Sequence, residues 1–151
     1  NYFQKTGNEI CKKQGREPVI YGVEGGGWRK HEEFANMTTL FGEWHLVRKE
    51  MVPKSHRKNF SQQRDMVLSN QNMKLVDART LVTAIGMHYL NSGERLFKYP
   101  DCARTSDVTT PKSSWRFRVA VGLSDTSGTS ILISRDDLPW NVGIATEWKL
   151  E

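Results

Sequence analysis

Trp115-Arg116-Phe117-Arg118-Val119-Ala120-Val121-Gly122-Leu123 is the stretch that decides the fold. Trp115, Phe117, Val119, Val121 and Leu123 alternate with Arg116, Arg118, Ala120 and Gly122, the period-2 pattern of a half-buried strand. Ser124-Asp125-Thr126-Ser127-Gly128 follows as a cluster of turn formers. A second strand is expected over 129–134, where Ile131 and Ile133 lie. Arg135-Asp136-Asp137-Leu138-Pro139-Trp140 then leads to a third, marked by Val142, Ile144, Thr146 and Trp148. Three consecutive strands with short polar turns make a rigid platform, and turns on such a platform are where binding groups collect.

Upstream, the clearest element is a helix over 78–91. Ala78, Val82, Ile85 and Tyr89 recur at the spacing of one helical face, and Leu81 and Leu90 widen it. Asp77 is its expected N-cap and Gly93 its left-handed stop. A shorter helix is expected over roughly 62–70 with Ser61 as N-cap. Residues 42–49 and 17–23 read as strands, the latter followed by the glycine turn Glu24-Gly25-Gly26-Gly27-Trp28. Residues 98–114 read as a long irregular segment, a length usually tied to function or mobility. No repeat or linker divides the chain, so 1–151 is read as a single domain.

The net charge is +5 over 151 residues. Such basicity permits nucleic-acid binding without demanding it. Lys49, Lys54, His56, Arg57 and Lys58 form one cluster and Lys12, Lys13 and Arg16 another; the ordinary reading of such runs is a solvated loop. Cys11 and Cys102 are the only cysteines. They either pair or stay free, and two alone cannot build a tetrahedral zinc site. No run of 18 apolar residues exists, so no membrane partner is expected, and no secretory leader is recognisable. Asn36-Met37-Thr38 and Asn59-Phe60-Ser61 match the glycosylation pattern, which is short enough to recur by chance.

Catalytic signatures are missing. His31, His45, His56 and His88 have no metal-site spacing, and there is no nucleophile elbow. Asp136 and Asp137 are neighbours, which on a strand would point to opposite faces. No cofactor or metal is therefore implied. Arg116 and Arg118 share one strand face. That face is either the solvated side of the sheet or a cationic floor for a ligand, edged by Ser124, Asp125 and Asp136. Ser127, Thr129 and Ser130 extend the first turn, and Arg135, Asp137, Trp140 and Asn141 populate the second. Trp140 either plugs the core or stands out as an anchor; Trp148 is expected in the core.

The order of elements also resembles a known family. A short helix, then Met73-Lys74-Leu75-Val76-Asp77-Ala78-Arg79-Thr80-Leu81-Val82-Thr83-Ala84-Ile85, then an Arg-Thr-Ser segment, then Arg135-Asp136-Asp137 and Asn141-Val142-Gly143-Ile144 are similar to the C-type-lectin-like fold. The closer branch is the one shared by formylglycine-generating enzymes and the variable proteins of diversity-generating retroelements. The match covers roughly 60–150, with Val76 where that branch has Pro and Ile144 where it has Phe. It implies an α+β domain: two helices on a mostly antiparallel sheet, with a long irregular segment.

The enzymes of that branch use a late pair of cysteines, and Cys102 is the only late cysteine here. The calcium-dependent sugar motifs are absent, and Trp140-Asn141 runs into Val142 rather than Asp. The resemblance thus implies the non-enzymatic use of the fold, a scaffold displaying residues 116–141 to a protein or other macromolecular ligand. Their Ser, Thr, Asp, Asn and Arg content suits adaptable hydrogen bonding. Two readings compete with it. One is an oligonucleotide-binding-type β domain gripping single-stranded nucleic acid through Arg116 and Arg118. The other is an enzyme with Cys102 as a reactive thiol.

Overall fold

The computed structural model describes residues 2–20, 44–98, 100–109, 117–137 and 142–149. Within them the fold is α+β: three helices and two mostly antiparallel sheets. In chain order the elements are α1 (Tyr2–Lys13), β1 (Leu46–Val47), α2 (Phe60–Leu68), β2 (Met73–Leu75), α3 (Ala78–Ser92), β3 (Cys102–Val108), β4 (Phe117–Asp125), β5 (Gly128–Arg135), β6 (Gly143–Ile144) and β7 (Thr146–Trp148).

Helix α3 forms where the apolar spacing places it. The Asp77 carboxylate accepts the Thr80 N–H at 2.9 Å and the Thr80 hydroxyl at 2.6 Å. Gly93 closes the helix at φ 74°, a conformation that costs glycine nothing. Ala78, Leu81 and Ile85 meet Ala103, Val119 and Val121 of the sheet, with Phe97 and Ala145 completing the main core. Tyr89 faces α1 instead, packing with Cys11, Val19 and Ile20. Helix α1 falls outside the sequence expectations. It is fixed by polar clamps: Asn8 Oδ1 accepts the N–H groups of Val19 and Ile20, and Arg16 donates to the Tyr89 and Leu90 carbonyls at the end of α3.

Helix α2 starts earlier than expected, and its cap is Asn59 rather than Ser61. Asn59 Oδ1 accepts Gln62 N–H while Gln62 Oε1 accepts Asn59 N–H, a reciprocal capping box.

The larger correction concerns 98–114. Residues 102–108 are not irregular; they form β3, an inner strand of the sheet ordered β5-β4-β3-β6. Cys-Ala-Arg-Thr-Ser-Asp-Val lacks apolar alternation, so periodicity misses it. Arg104 and Thr105 are buried and bonded rather than solvated. Residues 110–116 lie outside the described residues.

The expected last strand is also two strands. β6 pairs in parallel with β3 (Ala103↔Gly143, Arg104↔Ile144), and β7 pairs antiparallel with both β1 and β2. Ala145 is the step between the sheets, its N–H bonded to the Arg104 carbonyl. Of the strand expected over 42–49, residues 42 and 43 lie outside the described residues, and Leu46–Val47 forms β1, opposite Trp148 and Glu147. Of 17–23, Ile20 makes a single parallel bridge to Thr129. The glycine turn 24–28 lies outside the described residues.

Candidate ligand-binding surface

Strands β4 and β5 form a long hairpin, in register from Phe117↔Arg135 to Gly122↔Ser130. The register slips between Gly122 and Asp125, where Gly122 takes φ 149° and Leu123 φ 51°. A Cβ on Gly122 would sit 2.5 Å from the Asp101 carbonyl and 2.6 Å from Cys102 Cα, so only glycine fits beside β3. The bulge lets Leu123 N–H reach the Asp101 carbonyl and Ser124 N–H the Phe97 carbonyl. At the tip, Asp125 Oδ1 accepts Ser127 N–H at 2.8 Å.

Both faces of the hairpin are braced. Val119 and Val121 lie in the main core, while Ala120 packs with Cys102 and Val142 on the opposite side. The expected division into one core face and one solvated face is therefore wrong for the middle of β4. The brace on the second side is polar. Arg104 on β3 has no exposed surface. Its Nε donates to Ser134 Oγ at 3.1 Å, Nη1 to the Lys58 carbonyl at 3.0 Å and to Gln63 Oε1 at 2.8 Å, and Nη2 to the Arg135 carbonyl at 2.9 Å. Burial pulls its pKa down, and the Asp136 charge acts against that. Gln63, equally buried, donates from Nε2 to the Ser55 and Val142 carbonyls. One hub thus ties α2, the loop before it, β5 and the start of β6 to β3.

Several expected ligand-contacting residues turn out to be internal. Arg118 forms neither a cationic floor nor a solvated face. Its guanidinium lies 3.4 Å from the Phe60 ring centroid, donates to the Ser106 carbonyl at 2.6 Å and pairs with Asp136 at 3.2 Å. Asp136 is correspondingly committed to Arg118. Ser124 and Thr129 are buried and bond each other at 2.9 Å. Buried polar groups need partners, and these have found them inside the fold.

Asp125 and Ser127 are exposed at the tip, and Ser130 is half-buried. Arg135 grips Asp137 in a two-point bond at 3.1 and 2.8 Å, which holds the Asp137 carboxyl below its ordinary pKa. Ile133, not anticipated, is 41% exposed on β5. Arg116, Trp140 and Asn141 lie outside the described residues. Asp125, Ser127 and Asp137 are thus exposed at the tip and exit of the hairpin, while Ser130 and Ile133, three residues apart on β5, lie on opposite faces of it.

Trp148 is not core: it is 37% exposed beside Leu46, with Trp44 almost fully exposed two residues before. A cavity of about 330 Å³ between β1 and α3 is lined by His45, Leu46, Val47, Thr80, Thr83 and Ala84. None of these belongs to the hairpin. His45 Nδ1 lies 2.8 Å from the buried Glu147 carboxylate, which Lys74 also approaches at 3.3 Å. His88 is half-buried near Glu94. Cys11 and Cys102 are both buried free thiols in separate clusters. Burial raises the Cys11 pKa and pushes Cys102 up to about 11, against the pull of Arg104. Among the described residues no three His, Cys, Asp or Glu side chains converge on a possible metal position. Among them, too, no helix is long and apolar enough to cross a membrane.

Comparison with protein-family models, curated proteins and solved structures found no match.

Proposed function

We propose that this protein is a non-enzymatic ligand-binding scaffold of C-type-lectin-like type, displaying the exposed tip and exit of the β4–β5 hairpin to a protein or other macromolecular ligand. The observation that carries this is the contrast within the hairpin. Its interior is pinned from both faces by Val119, Val121, Ala120, Arg104, Ser124 and Thr129, while Asp125 and Ser127 at the tip and Asp137 at the exit are exposed. A rigid frame with replaceable outer residues lowers the ordering cost of binding. The α+β arrangement, with mostly antiparallel strands after α3, supports this reading at the level of fold class.

The thiol chemistry supports a non-enzymatic reading. A nucleophilic cysteine acts as thiolate, and Cys102 is held protonated and 5% exposed. Native protein should leave both thiols unlabelled by a thiol-specific chromogenic reagent at neutral pH, and unfolding should release them. Rapid labelling of Cys102 in the folded protein would favour the reading of an enzyme with a reactive thiol.

The display reading is tested at the encoding locus. Deep sequencing should find substitutions concentrated at the outward positions of 116–141, with Arg118, Ser124 and Thr129 held constant. An even distribution over the segment would count against a diversified surface.

A further inference from the structure

The loop from Met51 to Asn59 carries an arrangement that the hairpin does not use. Lys54 and Arg57 both have left-handed backbones, at φ 61° and φ 56°. Residues with a Cβ rarely adopt that conformation, and it persists only where the surroundings impose it. The surroundings here are identifiable. Ser55, fully buried, donates its N–H to the Val52 carbonyl. Its own carbonyl accepts from Gln63 Nε2 at 2.8 Å, and its Oγ accepts the Ile144 N–H at 3.2 Å. Three residues on, the Lys58 carbonyl accepts from Arg104. Inward anchors at 55 and 58 therefore flank outward cations at 54 and 57, and both of those side chains are exposed.

The charge of this loop is not neutralised. Among the described residues, Lys54, Arg57 and Lys58 have no acidic partner. One carboxylate approaches the loop itself: Asp101 lies 3.9 Å from His56, while Asp136 pairs with Arg118, Asp137 with Arg135 and Glu50 with Arg48. The four-residue span from Lys54 to Lys58 is at most about 14 Å, which places three cations on one short stretch of loop.

We propose that the 53–58 loop is a phosphate-binding element that takes the phosphodiester backbone of nucleic acid. An extended polyanion fits better than a small phosphorylated compound, because the cations are strung along an open loop and the described cavities lie against β1 and α3. A membrane surface fits less well. Besides Lys54 and Arg57, only Pro53 is exposed between 53 and 58, and no aromatic or long aliphatic side chain is offered for insertion. The site is independent of the hairpin surface and of the reading given to it. It also differs from a grip through Arg118, which is committed inside the fold.

The test is fluorescence anisotropy of 20-nucleotide single-stranded DNA, single-stranded RNA and duplex DNA at 50 and 200 mM KCl, using the whole chain. Three contacts to a single strand predict an affinity about 20-fold weaker at the higher salt, from a slope of roughly 0.7 per contact. In K54N/R57N asparagine keeps the left-handed backbone accessible while removing two charges. That variant should keep the wild-type circular dichroism spectrum, and its salt dependence should drop to about threefold, the value for one contact. K54G/R57G should lose the same binding while melting at a higher temperature than wild type, since glycine relieves the strain. Absence of binding by all three probes at 50 mM KCl overturns the proposal. So does binding unchanged in K54N/R57N, or a preference for phosphatidylserine vesicles over every nucleic acid.

Discussion

The two faces of the sheet around β4 are held by different chemistry. Toward α3, Leu81, Ile85, Ala103, Val119 and Val121 form an apolar core. Toward α2, Arg104, Gln63, Ser134 and Ser55 form a bonded polar hub beside a small cluster of Cys102, Ala120 and Val142. Apolar burial is non-directional and tolerates small changes of shape. A buried hydrogen-bond hub does not, because each group left without a partner keeps its full desolvation cost.

Arg104→Met should therefore be the most damaging change. It strips partners from Gln63 Oε1 and the Lys58 and Arg135 carbonyls. At about 1–3 kcal/mol for each unsatisfied group, a loss of about 3–9 kcal/mol in urea unfolding is expected. Ile85→Val on the opposite face should cost only about 0.5–1.5 kcal/mol. Equal losses at the two sites would erase the distinction between the faces.

Gly122→Ala comes next. The added methyl meets backbone of Asp101 and Cys102 that cannot move aside, and overpacking of this kind costs about 1–3 kcal/mol before the unfavourable φ is counted. Unchanged stability would mean that the bulge is not the constraint on β3 that its geometry implies.

At the N-terminus of α3 the comparison becomes one of pH. Burial opposes ionisation of Asp77, but the bonds from Thr80 and the charge of Arg79 together outweigh it, so its pKa is lowered. Its stabilising contribution is present above its unfolded-chain pKa and is lost as pH falls through the lowered folded value. Burial dominates at Asp107 and raises its pKa, although Ala78 N–H donates to it. Its contribution is present below the unfolded-chain pKa and is lost as pH rises through the raised folded value. Asp77→Ala should cost about 1 kcal/mol at neutral pH as a lost cap. Asp107→Asn should gain stability relative to wild type as pH rises above about 4, the ordinary Asp range. A constant difference across pH would show that Asp107 does not titrate as its burial dictates.

What was legible in the sequence follows the same divide. Helix α3, its Asp77 cap, its Gly93 stop and the β4–β5 hairpin were readable because apolar spacing and turn residues report directly on backbone period. Strand β3 was not, because Arg104, Thr105 and Ser106 look like loop residues until a buried hub satisfies them. The surface was half legible for the same reason. Asp125, Ser127 and Asp137 are exposed, as polar turn residues usually are. Arg118, Ser124 and Thr129 have the same residue types but partners on distant segments, which local pattern cannot reveal. Trp148 failed in the other direction: Ala145 moves the chain to another sheet, and Trp148 ends β7 with its ring partly exposed although the strand is paired on both sides.

The account rests on the hairpin being a pinned frame with replaceable outer residues. The direct test substitutes every amino acid singly at Asp125, Ser127, Ser130 and Ile133, and likewise at Arg104, Arg118, Ser124 and Thr129, then sorts the variants for protease-resistant folded protein. The first group is predicted to accept most residue types and the second only a few. Equal intolerance in both groups, or a tolerant second group, would contradict it.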